Sequence, residues 1–195
     1  MKKIVFMAVA LMAFAVASAQ EDVVAVYNQS TEALKARNFA KAAELLEKVI
    51  ADGEESEDDT VLGCVENAKK NLPAAYQGMG AMSAAAAMKA EKPEDADAKF
   101  ADAIANLDKA VAKAKEFKNN AAAAKANAML AKVYQAQGAS AFNSEDYAKA
   151  IEIFAKGYAA DPKNTDMAMN LAESYFKMDN YAEGMKICEE VAALP

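Results

Sequence analysis

Carboxylates and two cysteines are the side chains of this sequence that could do chemistry, because none of its 195 residues is a histidine. Histidine is the usual general base near neutral pH, the commonest zinc ligand and the central member of the serine-protease triad. Carboxylate pairs such as Glu189 and Glu190 are neighbours on a predicted helix surface and do not converge on a cleft. No serine or cysteine has an evident activator. We therefore expect no enzymatic activity, no catalytic residues and no cofactor.

An acidic run at residues 52–59 is the segment that most suggests a metal. Clustered carboxylate oxygens are what calcium prefers, but the run Asp52-Gly53-Glu54-Glu55-Ser56-Glu57-Asp58-Asp59 lacks the alternating ligands of an EF-hand loop. We interpret it as a solvated connector and expect no metal site.

The N-terminus has the three parts of a secretory signal peptide. Two lysines follow Met1, an apolar run extends over residues 4–16, and the small residues Ala17-Ser18-Ala19 precede Gln20. The apolar run is too short to span a bilayer. The sequence predicts a signal peptide over residues 1–19, cleavage after Ala19, and a periplasmic or secreted protein without a membrane span.

The two cysteines, Cys64 and Cys188, are separated by most of the chain. Disulfides can form in an oxidising compartment. In an elongated stack of helices, however, such distant positions are usually far apart in space. We expect two small buried side chains rather than a bridge, although a bridge remains open.

Composition indicates an all-α fold and argues against a nucleic-acid partner. The net charge is −7, so there is no basic surface to neutralise phosphates. Alanine, lysine and glutamate dominate, while the chain contains only 4 prolines and 7 glycines. These residues favour helices, and runs typical of strands are missing.

Two C-terminal segments match in phase at an offset of about 34 residues, the period of a stacked helix–turn–helix unit. The matching positions are Tyr147, Ala150, Phe154 and Tyr158, followed by Tyr181, Gly184, Cys188 and Ala192. Around the first of these segments the chain resembles a tetratricopeptide repeat, whose pattern is W-x2-L-G-x2-Y, then A-x3-F, then P. The residues that carry the resemblance are Tyr134, Gln137, Gly138, Ala141, Ala150, Phe154 and Pro162.

The resemblance implies a helical repeat domain over residues 20–195, an α-solenoid of about four units at approximately 23–56, 73–118, 131–164 and 165–195. The second unit is irregular, with a first helix starting near Pro73 and a second helix around Phe100. We interpret its excess length as longer helices plus an extra turn of chain near residues 60–70. A plain bundle or coiled coil is the alternative, but it should show an unbroken 3.5-residue repeat.

The resemblance also implies a protein-interaction module in which the first helices of successive repeats line a concave groove. The groove-facing candidates by register are Tyr27, Thr31, Leu34, Gln77, Ala81, Ala84, Gln135, Ala139, Phe142, Met169, Glu173 and Phe176. Some family members grip a C-terminal carboxylate with lysine and asparagine. Gln135, Ala139, Met169 and Glu173 occupy the corresponding places here, which favours an apolar, aromatic-edged groove.

The leading functional expectation is a scaffold that binds a peptide or partner helix of another envelope protein. The first alternative is a self-associating structural protein. The apolar side of the last helix, which includes Met185, has no following repeat to cover it and suggests an end-to-end dimer. A carrier of a small ligand or lipid, with an alanine- and methionine-lined pocket between the long helices, is the third possibility.

Overall fold

The computed structural model describes residues 22–193, and over that range the chain forms eight α-helices. The first, α1, covers residues 22–35. The others are α2 (Phe39–Gly53), α3 (Asp59–Ala87), α4 (Pro93–Glu116), α5 (Asn120–Asn143), α6 (Tyr147–Ala160), α7 (Thr165–Lys177) and α8 (Tyr181–Ala192). The predicted signal peptide lies outside the described residues, as does Leu194.

The helices stack in chain order. From α2 onward each helix packs against the next, and in addition α3 contacts α5 and α5 contacts α7. Val23 of α1 is buried in the same apolar cluster as Val49 of α2 and Val61 of α3, so α1 begins the stack. Contacts between consecutive elements and between every second element are those of a solenoid of helix pairs. This arrangement confirms the prediction of an all-α, tetratricopeptide-like solenoid.

One tight turn occurs four times along the stack. It follows α1, α4, α5 and α7, and in each copy one residue other than glycine adopts a positive φ: Arg37 (58°), Lys118 (55°), Glu145 (60°) and Asp179 (56°). In the third copy the Asp146 amide donates to the Ala141 carbonyl oxygen at 3.0 Å. This hydrogen bond satisfies one of the carbonyl groups that the end of a helix leaves without a partner.

The residue after each positive φ caps the next helix. The caps are Asn38, Asn119, Asp146 and Asn180. The side chain of Asn119, for example, accepts a hydrogen bond from the Ala122 amide at 3.0 Å. Asparagine and aspartate are favoured here because their oxygen replaces a missing helical acceptor.

The second pair of helices starts earlier than the sequence suggested. Helix α3 begins at Asp59, not near Pro73, and its 29 residues include Pro73 in the interior. Asp58 starts the helix by accepting from the Thr60 and Val61 amides at 2.8 and 3.0 Å. The apolar side chains before Pro73, such as Leu72, are fully buried. Their packing offsets the roughly 3 kcal/mol that an interior proline costs.

Helix α5 likewise begins at Asn120, whereas the third unit was expected to start near residue 131. The early part of α5 is held by the Asn119 cap and by Ala123 and Ala126, which are both buried. The excess length is therefore helical, as predicted, but residues 60–70 form part of α3 rather than a separate turn.

The apolar core has three successive clusters, and α5 contributes to all of them. Ala126 belongs to the cluster of α1–α3, Leu130 to that of α3 and α4, and Ala141 to that of α6 and α7. Both cysteines are free thiols, with Cys64 buried in α3 and Cys188 half-buried in α8, so the bridge is not formed. Within residues 22–193, no helix combines the length and apolarity needed to cross a membrane.

Candidate partner-binding surface

The odd-numbered helices α3, α5 and α7 lie side by side and form one continuous surface. A buried side chain fixes the first two in register, because Gln77 Nε2 on α3 donates to the Ala122 carbonyl oxygen on α5 at 3.0 Å. Gln77 is 4% exposed. Its amide nitrogen is therefore already committed to the α3–α5 contact, and this corrects the prediction that Gln77 faces a partner.

A recess of about 160 Å³ lies between α5 and α7. Three of the predicted groove residues, Ala139, Phe142 and Glu173, meet here. Phe154 of α6 and Asn170 also line it, so the recess has an aromatic floor and a polar edge. The structure thus brings together predicted groove residues from α5 and α7, the first helices of two neighbouring repeats.

A larger cavity of about 470 Å³ lies where α2, α3 and α5 meet. Its apolar wall consists of Phe39, Gly78, Ala81, Met82, Ala85 and Met129. Its polar members are Arg37, Gln77 and Lys125. Of these residues, the sequence analysis had assigned only Gln77 and Ala81 to the groove. The others come from three different helices and one turn, and no periodicity within a single segment relates them.

The remaining predicted residues fall into two groups. On α1, Tyr27 and Leu34 are half-buried against the N-terminal core, and Thr31 Oγ1 donates to the Asn28 carbonyl oxygen at 2.7 Å. Along the other first helices, Ala84 is half-buried against the middle core, Gln135 is half-buried and Met169 is exposed. None of these six residues lines the two cavities described above.

Phe176 is not a free aromatic anchor. Its ring lies flat against Gly184 of α8, at a position where a β-carbon on Gly184 would overlap the ring. It also stacks on Tyr181, with ring centroids 6.1 Å apart. The ring is therefore part of the α7–α8 contact, and it is half-buried. A small residue at position 184, visible in the sequence, was the available sign of this packing.

Phe142 makes the equivalent contact one repeat earlier. Its ring meets Tyr147 edge-to-face, with ring centroids 5.1 Å apart, whereas Phe176 and Tyr181 are stacked. Phe142 nevertheless also lines the α5–α7 recess. An aromatic pair across the tight turn thus occurs twice, after α5 and after α7.

The clearest pKa shifts lie away from these cavities. Tyr76 of α3 donates its hydroxyl to Glu47 Oε1 of α2 at 2.7 Å, and burial together with this hydrogen bond raises the pKa of Tyr76 to about 12. On the opposite side of the stack, partial burial raises the pKa of the Asp108 carboxyl, and burial next to Asp108 raises that of Tyr134. These groups join helices and are not paired with a nucleophile.

The family model for the tetratricopeptide repeat matches residues 141–194. No curated protein sequence matches the chain. Among solved structures, MamA AMB-1 aligns at 17% identity and TM-score 0.33, covering 89% of this chain and 91% of that chain. MamA MSR-1 aligns at 18% identity and TM-score 0.30, covering 88% of this chain and 95% of that chain. Pseudomonas aeruginosa PilF aligns at 17% identity and TM-score 0.30, covering 90% of this chain and 77% of that chain.

The TM-scores are too low for these three structures to support a conclusion about function. The matched segment contains both aromatic pairs, two of the four tight turns and most of the residues that line the α5–α7 recess, so the repeat pattern read from the sequence is confirmed there. Residues 141–194 are similar in sequence to the tetratricopeptide repeat, and the described part of this segment, residues 141–193, forms the C-terminal part of the all-α solenoid.

Proposed function

We propose that this protein is a non-enzymatic scaffold of the cell envelope that binds a peptide or partner helix along the surface of α3, α5 and α7. Tetratricopeptide repeats are typical of protein–protein interaction, and the repeat match over residues 141–194 supports this class of function. The titratable side chains described above serve helix packing, which fits a binding role rather than a catalytic one.

The α5–α7 recess is the observation that carries the proposal. It combines an aromatic side chain, Phe142, with the carboxylate of Glu173 and the amide of Asn170. Interfaces typically place an aromatic anchor beside a few polar groups that fix orientation. A partner helix or extended segment that inserts one apolar side chain here would gain both kinds of contact.

A pair of matched substitutions tests the proposal. Ala139→Arg places a long charged side chain in the recess, whereas Ala148→Arg makes the same change on the exposed side of α6. We expect the first variant to lose, and the second to retain, the proteins that the parent captures from an envelope fraction. Identical captured proteins from both variants and the parent would remove the recess as the binding site.

The envelope location rests on the predicted signal peptide. We expect the protein isolated from its native cells to begin at Gln20 and to appear with the envelope or external fraction. Mass spectrometry of the intact protein and cell fractionation measure these two properties. A protein that retains Met1 and fractionates with the cytoplasm would contradict the location while leaving the binding experiment unaffected.

Self-association is the second candidate, and the outer side of α8 favours it. Tyr181 is 60% and Met185 is 53% exposed, so large apolar side chains face outward at the end of the stack. Terminal repeats normally present a polar face. We expect light scattering to show a mass that rises with protein concentration, and Met185→Glu to suppress the rise. A constant monomeric mass in both proteins would exclude this candidate.

A further inference from the structure

The cavity between α2, α3 and α5 has two chemically different parts. Gln77 pairs with Ala122 across α3 and α5, so position 77 marks one end of the cavity and Ala85 marks the other. Eight residues of helix span roughly 12 Å. Ala81, Met82 and Ala85 of α3 provide most of one wall, and Met129 faces them from α5. The result is an apolar trough.

Two cations lie at this trough. Arg37 comes from the tight turn before α2, and Lys125 comes from α5. Arg37 is the one arginine in the whole sequence, in a chain whose net charge is −7. Within residues 22–193, neither cation lies within 4.0 Å of a carboxylate oxygen, although eight other lysine–carboxylate pairs do form. The two positive charges are therefore available to a bound anion.

The trough wall offers few hydrogen-bonding groups to an occupant. Its alanine and methionine side chains have none beyond weak thioether acceptors, and the Gln77 amide nitrogen already donates to Ala122. A peptide backbone placed here would find few partners on this wall for its N–H and C=O groups and would depend on water for them, because the trough is open and Met82 is 58% exposed. An alkyl chain has no such groups. Flexible methionines also adapt well to an unbranched chain.

We propose that this cavity binds an anionic amphiphile with a single alkyl chain and a carboxylate head, such as a medium-chain fatty acid. The chain lies along Ala81, Met82 and Ala85, and the carboxylate pairs with Arg37 and Lys125. The planar guanidinium of Arg37 can meet both carboxylate oxygens at once. A volume of about 470 Å³ is within the range of small-molecule sites. This site is independent of the α5–α7 recess and of the scaffold role.

Titration calorimetry with three ten-carbon ligands tests the head group, with the two ionic ligands below their micelle-forming concentrations and the alcohol below its solubility limit. Decanoate should bind saturably with one molecule per chain, decanol at least tenfold more weakly, and decyltrimethylammonium not detectably. Equal affinity for decanoate and decanol would overturn the proposal, because the two cations would then contribute nothing. Binding without saturation would overturn it as well.

Three variants locate the site. The double variant Arg37→Gln, Lys125→Gln should weaken decanoate binding at least tenfold, and Ala85→Trp should block it by filling the trough. Lys132→Gln removes an equally exposed charge from α5 outside the cavity and should leave binding unchanged. Circular dichroism of each variant checks that the helices remain. Equal losses in Lys132→Gln and the double variant, or full binding in Ala85→Trp, would show that the ligand lies elsewhere.

Discussion

The middle of the molecule, α3 and α4, and its C-terminal part, α5–α8, solve the same packing problem with helices of different length. In the middle pair the helices contain 29 and 24 residues, whereas α6, α7 and α8 contain 14, 13 and 12. In the middle pair, and in the pair formed by α5 and α6, a glycine on the first helix contacts a large side chain of the second helix. Gly80 meets Leu107, and Gly138 meets the ring of Phe154.

The repeat requires certain local contacts and tolerates variation in helix length. The close approach at a glycine and the tight turn both recur, because each depends on a few neighbouring residues. Helix length varies, because the 24-residue α5 packs both against the 24-residue α4 and against the 14-residue α6. Helix α5 joins the two parts, since it contributes to all three core clusters. The predictions below probe this distinction, from the largest expected effect to the smallest.

Removing the aromatic ring at the glycine contact should have the largest effect. Phe154 is 1% exposed, so Phe154→Ala leaves a cavity in the C-terminal core and should lower the free energy of unfolding by about 3–5 kcal/mol. Phe142→Ala, at a half-buried ring, should cost clearly less. Urea unfolding followed by circular dichroism measures both. Equal losses of stability in the two variants would mean that Phe154 is not the central contact between α5 and α6.

Overfilling the same interface should cost less than emptying it. Ala150 of α6 is fully buried, and Ala150→Leu should cost about 1–3 kcal/mol because neighbouring helices must separate. Ala148→Leu adds the same atoms to the exposed side of α6 and should leave the melting temperature nearly unchanged. Two unchanged melting temperatures would indicate that α6 faces the core through a different side.

Alkaline pH should weaken the N-terminal part through Tyr76. Because the folded protein raises the pKa of this phenol to about 12, above its usual value near 10, the fold favours the neutral form. That contribution is complete below about pH 10 and is lost as the pH rises through 12. Tyr76→Phe should flatten the decline in stability between pH 10 and 12, measured by denaturant titration. An equally steep decline in the variant would assign the effect to other groups.

Glycine-to-alanine substitutions should change the free energy of unfolding in opposite directions, depending on whether a neighbouring side chain packs against the glycine. Gly63 of α3 has no neighbour within 4 Å of an added β-carbon, so Gly63→Ala should stabilise by up to about 1 kcal/mol through helix propensity. At Gly138 the same atom would lie 2.5 Å from the Phe154 ring, and at Gly80 it would lie 2.6 Å from Leu107. Gly138→Ala and Gly80→Ala should therefore destabilise in denaturant titrations.

The sequence predicts the helices of the C-terminal part better than those of the middle part, and the reasons are physical. In α6 and α8 the turn residues, the small residue and the aromatic recur at the repeat period, so pattern alone locates the helices. In α3 the most visible signal, Pro73, is an N-terminal helix signal that buried neighbours override. The groove residues show the same limit. The register located Ala139, Phe142 and Glu173, but the contacts of Gln77 with Ala122 and of Phe176 with Gly184 depend on neighbouring helices.

The smallest expected effect tests whether the tight turn is the same local structure in both parts. Lys118 lies in the turn after α4, and Glu145 lies in the turn between α5 and α6. Their φ values are 55° and 60°. A left-handed backbone costs a residue other than glycine about 1–2 kcal/mol. Glycine avoids this cost but loses about 0.5–1 kcal/mol through its more flexible unfolded state. Lys118→Gly and Glu145→Gly should therefore each stabilise by about 0.5–1 kcal/mol in denaturant titrations, and by similar amounts. A gain at one site and a loss at the other would show that the two turns are held by different contacts.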